Sequence, residues 1–149
     1  MYPIILGTLT LIVTSCGFHS EENNTAINNQ FESGYELQTD LKESIQLGSE
    51  IYKDFCVTCH RPDGKGIPKS FPPLANSDYL MNSREQSIRA VKFGQQGEIV
   101  VNGISYNSVM TVQGLENDEI ANVMNYIMNS WGNTQDKMVR VDEVASVTK

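Results

Sequence analysis

The chain of 149 residues is long enough for one domain and a tail, and too short for two full domains. It is 40% hydrophobic and contains six Tyr, five Phe and one Trp, so it can form a buried core. Residues 1–40 contain five of the 18 carboxylates and no Lys or Arg, whereas residues 41–149 contain 11 cations and 13 carboxylates. Residues 41–149 are therefore nearly neutral, and nothing in them suggests the basic patch that a nucleic-acid partner would require.

The N-terminus has the pattern of an export signal. Residues 4–13 form an apolar run that is too short to span a bilayer but suits the core of a signal peptide. The run ends in Val13-Thr14-Ser15-Cys16, which resembles the bacterial lipobox. We therefore expect residues 1–15 to be a lipoprotein signal peptide and Cys16 to be lipidated. The mature domain would then lie in the periplasm, held at a bacterial membrane by its lipid anchor.

Two alternatives to the lipid anchor stay open. No Lys or Arg precedes the apolar run, a departure that a start codon assigned too late would explain. An ordinary signal peptide, or an apolar helix with an incidental Cys, would fit the same residues. Residues 16–40 are polar, lack periodicity and have the composition of a flexible tether, in which His19 is expected to be solvated.

Helical periodicity begins at Leu41. The first predicted helix has one apolar face, formed by Leu41, Ile45, Gly48, Ile51, Tyr52 and Phe55. A second helix is predicted to begin at Ser83, with Ser83 and Gln86 as a capping box, and to stop at Gly94.

A third helix is predicted to begin near Asn117 as N-cap and to end at Gly132-Asn133. A short fourth segment, residues 142–147, is also a candidate helix, and residues 99–101 could pair briefly as a strand. The irregular stretches 61–77 and 94–115 are unusually long for a compact helical domain unless they have a function. Wrapping a large cofactor is such a function.

The residues Cys56-Val57-Thr58-Cys59-His60 form the Cys-x-x-Cys-His signature of covalent haem attachment. Two residues three apart lie side by side on a helical turn, so both thiols can add to the two vinyl groups of one porphyrin. His60 would then present a nitrogen to the iron. The alternatives are a thioredoxin-like redox pair, which would require a parallel sheet, and half of a zinc site, which would require a second ligand pair. The sequence shows neither.

The sixth iron ligand is predicted from the remaining residues. His19 lies in the tether, on the wrong side of the motif, which leaves the methionines as candidates: Met81, Met110, Met124, Met128 and Met138. Met124 and Met128 are four apart on the third helix and are explained by packing. Met110 lies in a loop after an Asn-Gly turn, where its flexible side chain could reach the iron, and we favour it.

These motifs resemble class I cytochromes c, the mono-haem domains found alone or fused to copper nitrite reductases and quinoprotein dehydrogenases. The resemblance covers most of residues 41–133 and lies in five stretches: 48–52, 56–66 (CVTCHRPDGKG), 71–80 (FPPLANSDYL), 101–110 and 120–133 (IANVMNYIMNSWGN). It implies an all-α cytochrome c fold in which three to four helices and their loops surround one covalent haem c. The corresponding domain is residues 41–149, with a short C-terminal extension.

The resemblance also assigns roles to individual residues. It implies that Gly48 meets Tyr126 where the first and last helices cross, and that the Pro72 carbonyl accepts the proton of the His60 imidazole. Two positions depart from the pattern. Arg61 replaces the Gly common after the His, and Thr111 replaces the Pro common after the Met, which would leave the Met110 bond without a rigid neighbour.

The implied function is one-electron transfer, because His and Met ligands together leave the iron no open position for a substrate. Expected partners are a quinol-oxidising complex as donor and a terminal oxidase, nitrite reductase or dehydrogenase at the other end. The chain could instead be a permanent haem subunit of an oxidoreductase complex, or a gas sensor in which a ligand displaces Met110. A di-haem peroxidase would need a second Cys-x-x-Cys-His, which the sequence lacks.

Overall fold

A computed structural model describes residues 40–149 of the chain. The described part contains six helices, which are α1 (Leu41–Phe55), α2 (Val57–His60), α3 (Asp78–Asn82), α4 (Arg84–Phe93), α5 (Asn117–Ile127) and α6 (Val141–Ser146). One antiparallel hairpin joins β1 (Ile99–Val101) to β2 (Ile104–Tyr106). None of the helices in residues 40–149 has the length and apolar character needed to cross a membrane. The predicted signal peptide, Cys16, His19 and nearly all of the tether lie outside the described residues.

Helices α1 and α5 pack against each other and form the frame of the domain. Asp40 is the N-cap of α1 and its side chain accepts a hydrogen bond from the Glu43 N–H at 2.8 Å. At the crossing, a Cβ on Gly48 would lie 2.0 Å from the Asn122 carbonyl oxygen and 2.8 Å from Tyr126 Cβ. The predicted close approach of Gly48 to Tyr126 is therefore present, and the tightest contact is with the α5 backbone.

A buried polar network ties this frame to the C-terminal segment. The Asn125 side chain donates to Ser44 Oγ at 2.9 Å and to the Val139 carbonyl at 2.9 Å, and its oxygen accepts from the Val139 N–H at 2.7 Å. Ser44 in turn donates to Asn122 Oδ1 at 2.7 Å. Because each buried polar group in this chain of contacts has a partner, the network fixes α1, α5 and the C-terminal segment in one register.

Two cationic side chains of α4 attach this helix to the C-terminal segment. Arg84 forms a short ion pair with Glu143 of α6, with Nε and Oε1 2.6 Å apart, and donates to the Lys137 and Met138 carbonyls, each at 2.9 Å. Lys92 Nζ donates to the Val144 carbonyl at 2.7 Å. Residues 137–147 of the C-terminal extension thus lie across α4 and hold it in place, and we call this segment the C-terminal brace.

The helix ends differ in part from the predictions. Gly94 is the C-cap of α4, as predicted, but the Ser83 side chain makes no capping hydrogen bond, so the predicted capping box there is wrong. The N-cap of α5 is Glu116, which forms a capping box with Glu119, and not Asn117. Asn is a preferred N-cap residue and Glu is not, so the sequence favoured Asn117 over its neighbour.

Two further boundaries also differ. Helix α5 ends at Ile127 and not at residues 132–133, and the positive φ angles of Trp131 (51°) and Gly132 (93°) are incompatible with a helix that continues to the predicted end. Helix α3 was not predicted, since five residues are too few to show a period. The predicted pairing of residues 99–101 is confirmed, with Asn102-Gly103 as the turn.

Candidate functional site

The Cys-x-x-Cys-His motif forms one helical turn at the end of α1. Cys56 is both the C-cap of α1 and the N-cap of α2, and its carbonyl accepts hydrogen bonds from the N–H groups of Cys59 at 3.2 Å and His60 at 2.9 Å. Both cysteines are free, partly exposed thiols. All three side chains line the same cleft, which is the arrangement that double thioether attachment and axial ligation require.

The loop after the motif folds back under His60. The Gly64 carbonyl accepts from the N–H groups of Leu74 at 2.7 Å and Ala75 at 2.9 Å, and this closes the loop. As a result, the Pro72 carbonyl oxygen lies 3.0 Å from Nδ1 of His60. A carbonyl oxygen can only accept, so the hydrogen of the neutral imidazole is on Nδ1, and Nε2 is left with a free lone pair for a metal.

Burial sets the protonation states of the motif. It lowers the pKa of His60, against the opposing effect of the hydrogen bond to Pro72, and so keeps the imidazole neutral. Burial, with a smaller contribution from Cys59, raises the pKa of the Cys56 thiol to about 11. The thiol of Cys56 is therefore protonated at neutral pH in the chain as described. Within residues 40–149 no three His, Cys, Asp or Glu side chains are grouped to hold a metal ion.

Among the methionines of the described residues, Met110 alone lines this cleft. Met124 and Met128 are fully buried in the core, as their spacing predicted. Met110 lies in the loop after β2, and its backbone forms an isolated antiparallel bridge with Gln95. The structure thus brings together four of the predicted site residues around one cleft, with the Pro72 carbonyl against the ring of His60.

The cleft has the lining of an apolar cofactor site. It is partly open to solvent and is lined mostly by apolar side chains from the loop after the motif, from α4, from the hairpin and from α5. Its lining contains no Asp, Glu, Lys or Arg. Two thiols, one neutral imidazole and one thioether line a mostly apolar cleft without charged residues, and this donor set fits a covalently attached haem.

Several residues that line the cleft were not identified from the sequence as site residues. The hairpin contributes Ile99, Val101 and Tyr106, and Leu80 comes from the short helix α3. A reciprocal pair of hydrogen bonds fixes the hairpin to α3: Asp78 accepts from the Asn102 N–H at 2.7 Å, and Asn102 accepts from the Asp78 N–H at 3.0 Å. The Asn-Gly turn was the one sequence signal for this wall.

Comparison with known proteins identifies similar chains. Residues 45–131 match the family described as Cytochrome c. Cytochrome c-552 of Thermus thermophilus is 41% identical over 93 residues, which cover 59% of this chain and 70% of that protein. The cytochrome c subunit of the quinone alcohol dehydrogenase of Gluconobacter oxydans is 30% identical over 102 residues, covering 65% of this chain and 21% of that protein. The gluconate 2-dehydrogenase cytochrome c subunit of Pantoea cypripedii is 30% identical over 112 residues, covering 72% and 25%.

Proposed function

Because the chain belongs to the cytochrome c family, we propose that it carries single electrons through one haem c whose axial ligands are His60 and Met110. Proteins of this family bind haem c covalently and act as electron carriers, and this chain is a carrier and not a catalyst. Its fold is the cytochrome c fold, which in this chain is mostly helical and includes one two-stranded hairpin. Haem c, when bound, supplies an iron that gains and loses one electron.

The chain's own residues would act by holding and orienting this group. Cys56 and Cys59 would fix its position through thioether bonds, and His60 would ligate the iron through Nε2. The Pro72 carbonyl, 3.0 Å from Nδ1, would hold the ring orientation and increase its donor strength. Met110 would fill the remaining axial position with a soft thioether, which favours the ferrous state and raises the reduction potential.

The observation that carries the Met110 assignment is its position: it is the methionine of the described residues that lines the cleft with His60. Met110→Ala should abolish the Met–iron charge-transfer band and lower the potential. Met81→Ala removes a partly exposed methionine that does not line the cleft and is the matched control. An unchanged band in Met110→Ala would reject the assignment.

Covalent attachment has its own test. The protein would be produced with haem-attachment machinery, fully denatured, and stained for haem in a gel. Haem should stay on the wild-type chain and be lost from Cys56→Ala/Cys59→Ala. Absence of stain from the wild-type chain would contradict covalent binding.

The mouth of the cleft suggests how a redox partner makes contact. Phe55 and Val109 line the cleft and are 45% and 66% exposed, and no charged residue lines it. Such a surface fits an apolar patch on another redox protein, such as a quinol-oxidising complex, a terminal oxidase, a nitrite reductase or a dehydrogenase. The electron-transfer rate with the true partner should then change little between low and physiological salt, because screening acts on charge pairs.

A second candidate function is that of a permanent haem subunit of a dehydrogenase. Three kinds of dehydrogenase cytochrome subunit, those acting with alcohol, gluconate and fructose dehydrogenases, are similar to this chain. Stable co-purification with a dehydrogenase would favour this role over that of a free carrier. A gas-sensing role would require carbon monoxide to bind the ferrous protein at neutral pH, and refusal of carbon monoxide would reject it.

We also propose that Cys16 is lipidated and that residues 16–40 tether the domain to a bacterial membrane from the periplasmic side. The support is the Val13-Thr14-Ser15-Cys16 pattern after an apolar run. An anchored tether would raise the effective concentration of the domain near membrane partners. Cys16→Ser should yield unprocessed or soluble protein, and processed protein that stays with the membrane in high salt would contradict the proposal.

A further inference from the structure

The loop that contains Met110 gains little from side-chain packing next to that residue. Val109, directly before Met110, is 66% exposed, and Val112, two residues after it, is 57% exposed. Thr111 stands where the family resemblance leads us to expect a rigid proline. The position of Met110 must therefore be set by other contacts.

Ser108 Oγ donates to the Ser70 carbonyl and anchors the loop two residues before Met110, whereas the contacts at Met110 itself are made by the backbone. The Gln95 N–H donates to the Met110 carbonyl at 2.9 Å, and the Met110 N–H donates to the Gln95 carbonyl at 2.8 Å. Two reciprocal hydrogen bonds fix both the position and the orientation of the Met110 backbone relative to Gln95. Since Gln95 follows α4 after one residue, the axial methionine is attached to the end of that helix.

Gly94 makes this close approach possible. It is the C-cap of α4 and has a φ angle of +81°, which side chains rarely adopt. A Cβ at this position would lie 2.7 Å from the Met110 carbonyl oxygen and 3.3 Å from the Val112 nitrogen. Any side chain would therefore push against the acceptor of the Gln95 bond.

The other end of this connection is firmly held. Lys92, in the last turn of α4, donates from Nζ to the carbonyls of Val144 at 2.7 Å and Val147 at 3.1 Å. The C-terminal brace thus fixes the end of α4, and the Met110 loop is bonded to Gln95 just beyond this fixed helix end.

We propose that Gly94 and Gln95 are the positioning residues for Met110, and that their backbone bridge does the work of the missing proline at position 111. The proposal rests on the proposed function, because it presumes that Met110 ligates the iron. It predicts that the strength of the Met–iron bond depends on Gly94, a residue that does not itself line the cleft.

Gly94→Ala tests the proposal, with Gly97→Ala as the matched control. Gly97 lies three residues away with a similar φ of +89°, but a Cβ there would meet nothing within 4 Å. Both substitutions introduce the same kind of backbone strain, and Gly94→Ala alone adds a contact with Met110. The readout is the affinity of the ferric protein for imidazole, which competes with the methionine, together with the intensity of the Met–iron band.

Gly94→Ala should raise the imidazole affinity about tenfold, equivalent to about 1.4 kcal/mol of lost Met ligation, and weaken the band. Gly97→Ala should leave both near the wild-type values. Equal effects in the two variants would overturn the proposal. Met110→Ala separates the two hypotheses: an unchanged band there rejects the ligand and the positioning role together, whereas a lost band with equal glycine variants rejects the positioning role alone.

A second variant covers the case in which Gly94→Ala does not fold. Gln95→Pro removes the N–H that donates to Met110 without placing a Cβ against its carbonyl. Gln96→Pro changes the next residue, whose N–H has no backbone acceptor among the described residues. Gln95→Pro should raise the imidazole affinity, and Gln96→Pro should not. An equal effect of both prolines would contradict the proposal.

Discussion

Gly48 in α1 lies so close to Asn122 in α5 that a single added carbon would stand 2.0 Å from the Asn122 carbonyl oxygen. The two helices can approach to this distance because the first has no side chain there. The contact aligns the end of α1, where the Cys-x-x-Cys-His turn begins at Cys56, against α5, whose Val123 and Ile127 line the cleft. One glycine thus links the helix frame to the geometry of the site.

Gly48→Ala should destabilise the protein by about 3 kcal/mol or more, because the added methyl group would force the helices apart. Helix propensity alone predicts the opposite sign, a gain of about 1 kcal/mol. Chemical denaturation of the haem-loaded protein measures the difference. Gln46→Ala, at an exposed position of the same helix, is the control and should stay within about 0.5 kcal/mol of the wild type. A stabilised Gly48→Ala variant would contradict the contact.

The sequence was most informative where local pattern and chemistry coincide. The apolar spacing of α1 and the core of α5 predicted both frame helices, and the Cys-x-x-Cys-His turn needed no tertiary information. The all-helical class and the stop at Gly94 also followed from local signals. Met110 could be singled out as a candidate because it lies outside any helix, where packing does not explain a methionine.

The remaining features depend on contacts between distant residues, which no local signal reports. Asn125 reads as a polar interruption of a helix face, yet it bonds to Ser44, 81 residues away. Arg84 reads as a surface cation, yet it holds Glu143 from 59 residues away. The bridge between Gln95 and Met110 has the same character, since it depends on how a loop returns to a helix end.

Arg61→Gly should stabilise the protein by about 1 kcal/mol. Arg61 has φ 67° and ψ 159°, a conformation available almost only to glycine, at a cost of about 1–3 kcal/mol for other residues. Its side chain is more than half exposed, and its ion pair with Asp63 is long, with Nε and Oδ1 3.7 Å apart. Removing the side chain should therefore cost little stability. The Tyr52 hydroxyl bonds to the Arg61 carbonyl, which the substitution retains. Thermal unfolding measures the gain, and Arg61→Ala, which keeps the strain, should show none.

Removing the haem should destabilise the fold around the cleft. The stretches 61–77 and 94–115 contain little regular structure, and the apolar walls of the cleft face the cofactor volume. A covalently attached haem would stay on the unfolded chain, so it would stabilise the fold by filling the apolar cleft and through the axial ligands, both of which are lost on unfolding. Cys56→Ala/Cys59→Ala should therefore give a protein with a lower unfolding temperature and a less cooperative transition by circular dichroism. A haem-free chain that unfolds as the wild type does would contradict a cofactor-dependent core.

Glu143→Gln should lower stability at neutral pH and remove part of the acid sensitivity of the protein. The hydrogen bonds from Arg84 hold the pKa of Glu143 below its usual 4.5. A carboxyl whose pKa is lower in the folded state contributes its stability above the unfolded value and loses it as the pH falls through the folded value. The wild type should exceed Glu143→Gln by about 1–2 kcal/mol at pH 7, less than for a fully buried pair because the Glu143 side chain is 28% exposed. The difference should shrink below about pH 4.5.

Denaturant titrations of both proteins between pH 3 and pH 7 measure this effect. Glu85→Gln is the control, because Glu85 pairs with Arg89 on the same helix with its side chain 62% exposed. An exposed pair of this kind contributes about 0.3–0.5 kcal/mol, so the control should follow the wild-type curve closely. A Glu143→Gln deficit that persists unchanged at pH 3 would show that the residue acts through packing and not through its charge. A deficit that fades with acid would establish the ion pair as the clasp that holds the C-terminal brace against α4.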